Sequence, residues 1–384
     1  MFRAAPALAL TLASLPSCAA KAEEAAAGSP VTLSVLYTAD IWTNARGGIR
    51  RGTAYLDNLD IALAYDADRG LGLHDTRLLI SGLHNNKATF SDAIVGDLQA
   101  VSNIDTAGGT RLYEAWIEHG EGPATIKLGL MDLNSEFDVN ETGAVFLNGS
   151  QGIGPEISQV GANGPGVFPI TALGGRLALR RGRFEAKAGL FEGTPGDPAN
   201  PRQTSLTLSK GEGSFAIGEF AFRPGEGSRV AFGGWRHSGS PAFDLAEAYG
   251  GYAMVEAILQ RDRQHRVSAF LRVGHAWGGA YPLSSYQGAG LVRSGPLLVG
   301  SEEQVGLAIA SAKNDGAFRA AQAAIGQPVK SRETVIELAY RTRLAPWLAI
   351  QPDIQYIRQP ETDPALRDAL AFGLRFEIGW STGS

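Results

Sequence analysis

Hydrophobic and polar side chains alternate along much of the chain, and the clearest run lies between residues 370 and 380. The even positions carry Leu370, Phe372, Leu374, Phe376, Ile378 and Trp380, whereas the odd positions carry Ala371, Gly373, Arg375, Glu377 and Gly379. A β-strand directs successive side chains to opposite faces, so this pattern predicts a strand with one apolar and one polar face. Its length is about that of a tilted strand that crosses a bilayer.

The same alternation recurs in many other segments. It is clear in residues 55–66, 125–130, 173–180, 183–190, 266–273 and 334–344. No helical period of comparable length competes with it. About sixteen such segments are joined alternately by tight turns and by longer connections, which is the arrangement of outer-membrane barrels. We therefore expect an all-β fold, a transmembrane antiparallel β-barrel of about sixteen strands with long loops that fold into the lumen.

Alternation alone does not distinguish a membrane barrel from a soluble β-sandwich, but two further features favour the barrel. Aromatic residues fall near strand ends, where they are expected to form girdles at the two membrane interfaces: Tyr37, Trp42, Tyr55, Tyr65, Trp277, Trp347 and Trp380. The predicted inner face carries small residues and charges of both signs, which suits a wet lumen better than a packed core.

Two connections are long enough to suggest a function, residues 86–109 and residues 133–171. Short helices are expected within two loop segments, residues 91–101 and residues 317–324. The glycine-rich part of the second long loop permits tight folding back into a lumen.

The N-terminus has the features of an export signal. Arg3 precedes an apolar run over residues 4–16, and Ala20-Lys21-Ala22 fits the small-x-small rule for cleavage. We expect a signal peptide over residues 1–22 and a single barrel domain over residues 23–384. Cys18, the single cysteine, is either discarded with the signal or lipidated as in a lipoprotein. No later stretch of about eighteen apolar residues predicts a spanning helix, so export and the barrel pattern together predict the bacterial outer membrane.

Composition excludes several other classes of function. The formal net charge of −5 argues against nucleic acid as a partner. The six histidines have no metal-ligand spacing, and the sequence contains no Gly-x-Ser-x-Gly elbow. We therefore expect no cofactor, no bound metal and no enzymatic activity.

The segment 128–143, with the sequence LGLMDLNSEFDVNETG, is followed by Phe146-Leu147-Asn148 and Gly152-Ile153-Gly154-Pro155. Together with further short motifs at residues 102–104, 111–116, 164–169 and 350–357, it resembles the carbohydrate-selective outer-membrane porins, the OprB-like family. The resemblance runs from about Tyr37 to Trp380. It implies a sixteen-stranded barrel that passes glucose and related sugars by facilitated diffusion, with outer-membrane lipid around it.

Whether a residue occupies an odd or an even position of its strand, which we call its parity, decides the face on which it lies. Parity places these side chains on the inner face: Asp60, Arg77, Glu114, Trp116, Lys127, Arg176, Glu185, Arg272, Glu337, Arg341, Asp353 and Arg375. We expect the pore constriction to be formed by three of these and by three residues of the second long loop: Arg77, Glu114, Trp116, Glu136, Asp138 and Asn148. Each charge has the alternative of an ordinary ion pair within the lumen. Trp116 has two alternatives, a plug residue or, after a register slip of one, an interface anchor.

Three readings of the function stay open at this stage. The leading one is a pore for small sugars, and the second is a porin for other small solutes or ions. The third is an exported soluble β-protein that binds glycans or hydrolyses lipids. Assembly as a homotrimer also stays open.

Overall fold

The computed structural model describes residues 29–120, 122–206, 211–278, 282–300 and 302–382. The expected signal peptide and Cys18 lie outside these ranges. Sixteen strands follow one another along the chain: β1 (Val31–Gly48), β2 (Gly52–Asp66), β3 (Thr76–Asn85), β4 (Gly109–His119), β5 (Ala124–Met131), β6 (Ala172–Arg181), β7 (Phe184–Glu192), β8 (Ser214–Gly225), β9 (Ser228–His237), β10 (Ala248–Arg261), β11 (Arg266–Gly278), β12 (Leu283–Ser294), β13 (Glu303–Asn314), β14 (Arg332–Ala345), β15 (Leu348–Arg358) and β16 (Arg367–Ser381).

Each strand pairs antiparallel with its neighbours, and β1 pairs with β16, so the sheet closes into a barrel without a free edge. Closure satisfies the backbone hydrogen-bonding groups that an open edge would leave exposed to lipid. The fold class and strand number predicted from the alternation are confirmed.

The connections define two ends of the barrel. Residues 182–183, 226–227 and 346–347 form tight turns at one end, the turn end, where β1 begins and β16 finishes. The opposite end, the loop end, carries the longer connections, among them residues 86–108 (loop 2) and residues 132–171 (loop 3). In outer-membrane barrels the short turns face the periplasm and the long loops face the exterior.

Short helices lie in the connections: α1 (Ala67–Leu71), α2 (Leu133–Glu136), α3 (Gly149–Gly152), α4 (Pro155–Ser158) and α5 (Gly316–Ala324), with a π-helical turn at Ser91–Val95 and 3₁₀ turns at Gly143–Val145, Pro241–Phe243 and Pro360–Thr362. The expected helix near residue 317 is confirmed, and the Asp315 side chain caps it by accepting from the amides of Ala317 and Phe318. The expected helix over 91–101 was too long, because Gly96 adopts a left-handed conformation (φ 72°) that ends it. Within the described residues, no helix combines the length and the apolar character needed to cross a bilayer.

The two faces of the wall follow the predicted parity. All twelve polar residues assigned to the inner face lie there, and all except Asp60 and Arg77 are buried. Outward positions carry apolar side chains that are exposed in the isolated barrel, such as Leu307 on β13 and Phe372 on β16. This segregation matches a lipid-facing exterior and a polar interior.

The predicted aromatic girdles are correct with one exception. Tyr55, Trp277, Trp347 and Trp380 are each about half exposed on the outer surface. Trp42 is fully buried instead. It occupies an even position of β1, which faces the lumen, and its ring lies over Gly373, where an added Cβ would come within 2.6 Å of the indole. The prediction placed Trp42 and Tyr37 on the same face, although an odd and an even position of one regular strand point in opposite directions.

Candidate functional site

Loop 3 enters the lumen and is held there by a buried arginine of β11. The Arg272 guanidinium donates to both carboxylate oxygens of Asp138, with Nε at 2.8 Å from Oδ1 and Nη2 at 2.5 Å from Oδ2. The same Nη2 lies 2.8 Å from Oε1 of Glu156. These three side chains are at most 1% exposed. Removing such charges from water is costly, so the pairs must form together for the loop to stay in place.

The surroundings of Arg272 are shaped for this contact. The rings of Tyr252 and Tyr286 lie 5.4 and 5.2 Å from the guanidinium carbon, within the range of cation–π attraction. Gly274 faces the lumen two residues further along β11, and a Cβ at that position would lie 1.8 Å from Glu156 Oε1. The glycine therefore leaves the room that the Glu156 carboxylate occupies.

A second ion-pair network fixes the start of loop 3. The Glu136 carboxylate accepts from Lys127 Nζ at 2.7 Å and from Arg176 Nε at 2.8 Å. Arg176 also pairs with Glu118, whose other oxygen lies 2.9 Å from Arg77 Nη2. Burial by itself raises the pKa of Glu136, but the nearby cations, Lys127 and Arg176 foremost, outweigh burial and hold that pKa at about 2. Glu136 is therefore ionised at neutral pH, as the network requires.

Trp116 and Glu114 of β4 lie beneath this network and outside the open part of the lumen. The Trp116 side chain is 5% exposed, and Lys127 Nζ lies 3.9 Å from the centre of its ring. Glu114 is also buried and accepts a hydrogen bond from the amide of Asp132 at 3.2 Å. Both residues thus support the start of loop 3 from behind.

The middle of loop 3 binds the opposite wall of the barrel. The Glu337 carboxylate of β14 accepts from the amide of Leu147 at 2.5 Å and from that of Asn148. The Asn148 side chain donates to Gln355 Oε1 of β15 at 3.2 Å. Gln351, also on β15, donates to the carbonyl of Val145 at 2.6 Å. Loop 3 is therefore attached to both sides of the lumen.

Loop 2 docks beside loop 3, on β1 and β16, the two strands whose pairing closes the barrel. Arg375 of β16 pairs with Asp40 of β1, with Nε at 2.7 Å from Oδ1. The Ser102 hydroxyl donates to Asp40 Oδ2 at 2.7 Å, and Arg375 Nη2 donates to Asn103 Oδ1 at 2.8 Å. Loops 2 and 3 also bind each other, because the amide of Asn103 donates to the carbonyl of Leu147 at 2.7 Å.

Between these loops and the wall lies a cavity of about 580 Å³, the lumen cavity. Its lining combines polar wall residues with polar and aromatic residues of the loops and of β4; prominent members are Thr38, Asn58, Asp60, Arg341, Gln351, Arg375 and Glu377 from the wall, Ser102 and Asn103 from loop 2, Phe146, Asn148 and Phe168 from loop 3, and Tyr113 from β4. Arg341 Nη2 lies 2.7 Å from Glu377 Oε2, and the rings of Tyr113 and Phe168 meet edge to face at 6.0 Å. The cavity therefore offers hydrogen-bond donors, acceptors and an aromatic surface at one place.

A second cavity, of about 630 Å³, opens at the loop end beneath α5. Phe318 and Gln322 of α5 line it together with Glu361 and Asp363. Leu98 borders this cavity and the lumen cavity alike, so the two adjoin.

Of the six residues predicted to form the constriction, Asn148 alone borders the lumen cavity. Arg77, Glu136 and Asp138 belong to the ion pairs that fix loop 3, while Glu114 and Trp116 lie behind its start. Contact of these six with a solute stays a prediction. Arg341 and Arg375 were assigned to the lumen but not to the constriction. Phe168 lies in a short motif that carried the family resemblance, and this was the available signal for it.

No group of three or more histidine, cysteine, aspartate or glutamate side chains in the described ranges has a geometry that fits a metal ion.

Comparisons with known proteins agree with this architecture. The family model of the carbohydrate-selective porin, OprB family, matches residues 50–380. Porin B of Pseudomonas aeruginosa is 20% identical in an alignment of 375 positions that covers 84% of this chain and 81% of that protein. The high-pH structure of Pseudomonas putida OprB has a TM-score of 0.79 at 17% identity and covers 91% of this chain and 94% of its own. The trimer form of Vibrio cholerae OmpT has a TM-score of 0.53 at 10% identity, with 91% of this chain and 99% of that chain covered. At these identities the two structural likenesses establish a shared fold.

Proposed function

The chain belongs to the carbohydrate-selective porin, OprB family and serves the diffusion of small sugars as an outer-membrane porin, and we propose that the solute passes through the lumen cavity. This cavity lies between loops 2 and 3 on one side and β1, β2 and β14–β16 on the other. The observation that carries the proposal is the attachment of loop 3 to both walls of the barrel. A loop fixed in this way narrows the lumen permanently and leaves the cavity beside it as the route.

The lining of the cavity suits a sugar. Sugar hydroxyls both donate and accept hydrogen bonds, and the Asp60 carboxylate and the Arg341 guanidinium supply one acceptor and one set of donors. The apolar face of a sugar ring needs a flat apolar partner, which Phe168 supplies. Such contacts replace water around the solute while remaining weak enough to let it leave.

The charges that line the cavity favour an uncharged solute over an anion, because its two arginines are paired and Asp60, Asp105 and Asp132 add further carboxyl groups. Arg341 pairs with Glu377, and Arg375 pairs with Asp40, each at 2.7 Å. Because each of these arginines has a carboxylate partner, its field is largely cancelled within a few ångströms. An anion then gains little attraction to set against its lost hydration, whereas an uncharged solute has less hydration to lose.

The six residues predicted to form the constriction have two different roles in this proposal, contact with the solute and anchoring of loop 3. Asn148 borders the route, and we assign solute contact on the wall to Asp60, Arg341 and Arg375. The other five predicted residues act at a distance from the solute, by holding loop 3 in the position that makes the lumen narrow.

A liposome-swelling assay tests the function. Proteoliposomes with the mature porin are expected to swell faster in glucose than in a monocarboxylate salt of similar size, because the neutralised lining does not attract the anion. Planar-bilayer recordings are expected to give open channels that glucose blocks partially. Channels that pass the carboxylate faster than glucose and are insensitive to glucose would instead support a porin for organic acids.

Replacing Phe168 by alanine is expected to weaken block by glucose about two- to tenfold, which corresponds to about 0.5–1.5 kcal/mol of lost aromatic contact. Conductance to small ions should stay the same or rise, because the substitution widens the route. Phe168→Tyr retains the ring and serves as the matched control, so it should keep the sugar block. Titration of single-channel block with glucose measures both. Equal block in the wild type and in Phe168→Ala would remove this ring from the route.

We also propose that the porin assembles as a homotrimer. The trimer form of Vibrio cholerae OmpT, which shares the fold, supports this assignment. The mass of the detergent-solubilised porin, measured by light scattering after correction for bound detergent, decides between one and three copies.

A further inference from the structure

Three basic residues lie side by side on the outer surface of the barrel, at the loop end. Lys313 of β13 pairs directly with Arg332 of β14, and Arg358 of β15 pairs with Thr334, two residues along β14. All three side chains are exposed. Their parity matches that of the outward residues Ile309 and Ile336 on the same strands, so they face away from the lumen.

The basic cluster of Lys313, Arg332 and Arg358 carries more positive charge than the described residues around it offset. Among the described residues, no salt bridge and no hydrogen bond involves the side chain of Lys313, Arg332 or Arg358. The outward carboxylate of Asp368 accepts from the Tyr356 hydroxyl at 2.6 Å and from the backbone amide of Gln359 at 3.0 Å, and its electrostatic interaction with Arg358 offsets part of the charge of that arginine. Like charges that face each other directly across two strands are destabilising. An anion from outside the chain would remove that repulsion.

Another outward arginine at the loop end, unlike the basic cluster, has a carboxylate partner. Arg236 of β9 also points outward and is exposed, but its guanidinium pairs with both oxygens of Glu247, at 2.6 and 2.9 Å. That side of the barrel therefore supplies its own countercharge, whereas Lys313 and Arg332 have no salt bridge among the described residues and Arg358 has only the partial countercharge of Asp368.

The depth of the cluster identifies the kind of anion. Arg332 lies four residues above the exposed Ile336, which is about 13 Å along a strand. Ile309, Ile336 and Ile354 on the same three strands are exposed and belong to the lipid-facing apolar band. Cations directly above that band, at the exterior end of the barrel, lie at the level of the lipid headgroups.

We propose that Lys313, Arg332 and Arg358 form a binding site for the phosphate groups of a phosphorylated lipid in the outer leaflet. Lysine and arginine both donate charge-assisted hydrogen bonds to phosphate oxygens, and arginine does so in a bidentate manner. The acyl chains of the same lipid cover the apolar residues immediately below. This site is separate from the solute route, since its side chains face away from the lumen.

Native mass spectrometry of the detergent-solubilised mature porin tests the site with diphosphorylated lipid A as the probe. Each neutralised residue is expected to weaken binding about fivefold, and the triple variant Lys313→Gln, Arg332→Gln, Arg358→Gln roughly a hundredfold. Arg236→Gln is the matched control and should bind as the wild type does. The charge-retaining variant Lys313→Arg, Arg332→Lys, Arg358→Lys should keep most of the binding, and glucose block should be unchanged throughout.

Several results would overturn the proposal. Lipid binding that survives the triple substitution, or that falls equally in Arg236→Gln, would show that the cluster is not the site. Equal binding of lipid A without its phosphates would exclude phosphate recognition, and full displacement by millimolar inorganic phosphate would point to a free anion. A triple variant with unchanged lipid binding but altered oligomeric mass would assign the cluster to contact between copies. If the triple variant does not form a heat-modifiable barrel, the three single variants and the charge-retaining variant still show whether the basic cluster binds the lipid.

Discussion

Replacing Arg272 by methionine is expected to free loop 3 from the barrel wall and to cost about 3–5 kcal/mol of the free energy of unfolding. The substitution keeps much of the side-chain volume but leaves Asp138 and Glu156 buried without their cation. The loop can relieve that cost by moving into the open lumen, which destroys the narrow route. Conductance is therefore expected to rise severalfold, and sugars too large for the wild type should pass.

Single-channel conductance and liposome swelling in a series of oligosaccharides measure the widening of the route. The loss of stability is measured as the temperature of prior heating at which the porin migrates on a gel as the unfolded chain. Arg236→Met is the matched control, because its ion pair with Glu247 is exposed to solvent and contributes little to stability. Arg272→Lys should fall between the wild type and Arg272→Met. Unchanged conductance in Arg272→Met would mean that the remaining contacts of loop 3 suffice to hold it.

Replacing Leu374 by arginine is expected to impair insertion by about 2–4 kcal/mol, the cost of a cation on the lipid-facing side near the bilayer midplane. Leu374 lies midway along β16 and faces outward, between Ile41 on β1 and Pro352 on β15. Folding into vesicles, followed by urea titration, measures the loss.

Two neighbouring substitutions control this result. Leu374→Phe keeps the outer surface apolar and should insert normally. Arg375→Lys changes the adjacent inward residue while keeping a cation for the buried Asp40, and it should insert normally while altering conductance, since Arg375 borders the lumen cavity. An equal loss of insertion in Leu374→Arg and Arg375→Lys would contradict the assignment of one face of β16 to lipid and the other to the lumen.

The architecture of the barrel was predictable because lipid and water impose a two-residue period on every strand. The inward assignment of Arg272, Glu337 and Arg375 followed from parity alone, and the fold agrees with it. Parity was also the missing check for Trp42, which was placed on the outer face with Tyr37 although an odd and an even position cannot both face lipid on one regular strand. The sequence therefore contained the information needed to correct that error.

The constriction was less predictable because it depends on the path of the loops. Asp138 and Arg272 are 134 residues apart in the chain, and no local pattern indicates that they meet. A charged residue in loop 3 has the same appearance in the sequence whether it touches a solute or anchors the loop. Glu136 and Asp138 were chosen for their charge, but charge is also what an anchor to Arg176 or Arg272 requires. Phe168, which we propose contacts the solute, was noted only as part of a family motif, because an isolated aromatic residue in a loop carries no period.

The ion pair between Asp40 and Arg375 bears on the order in which the porin is assembled. These residues belong to the first and the last strand, 335 positions apart, and loop 2 docks on both through Ser102 and Asn103. Its docking site does not exist until the two ends of the polypeptide have met. Loop 2 can therefore complete these contacts only after barrel closure, so its side of the narrow passage takes its final form after the first and the last strand have paired.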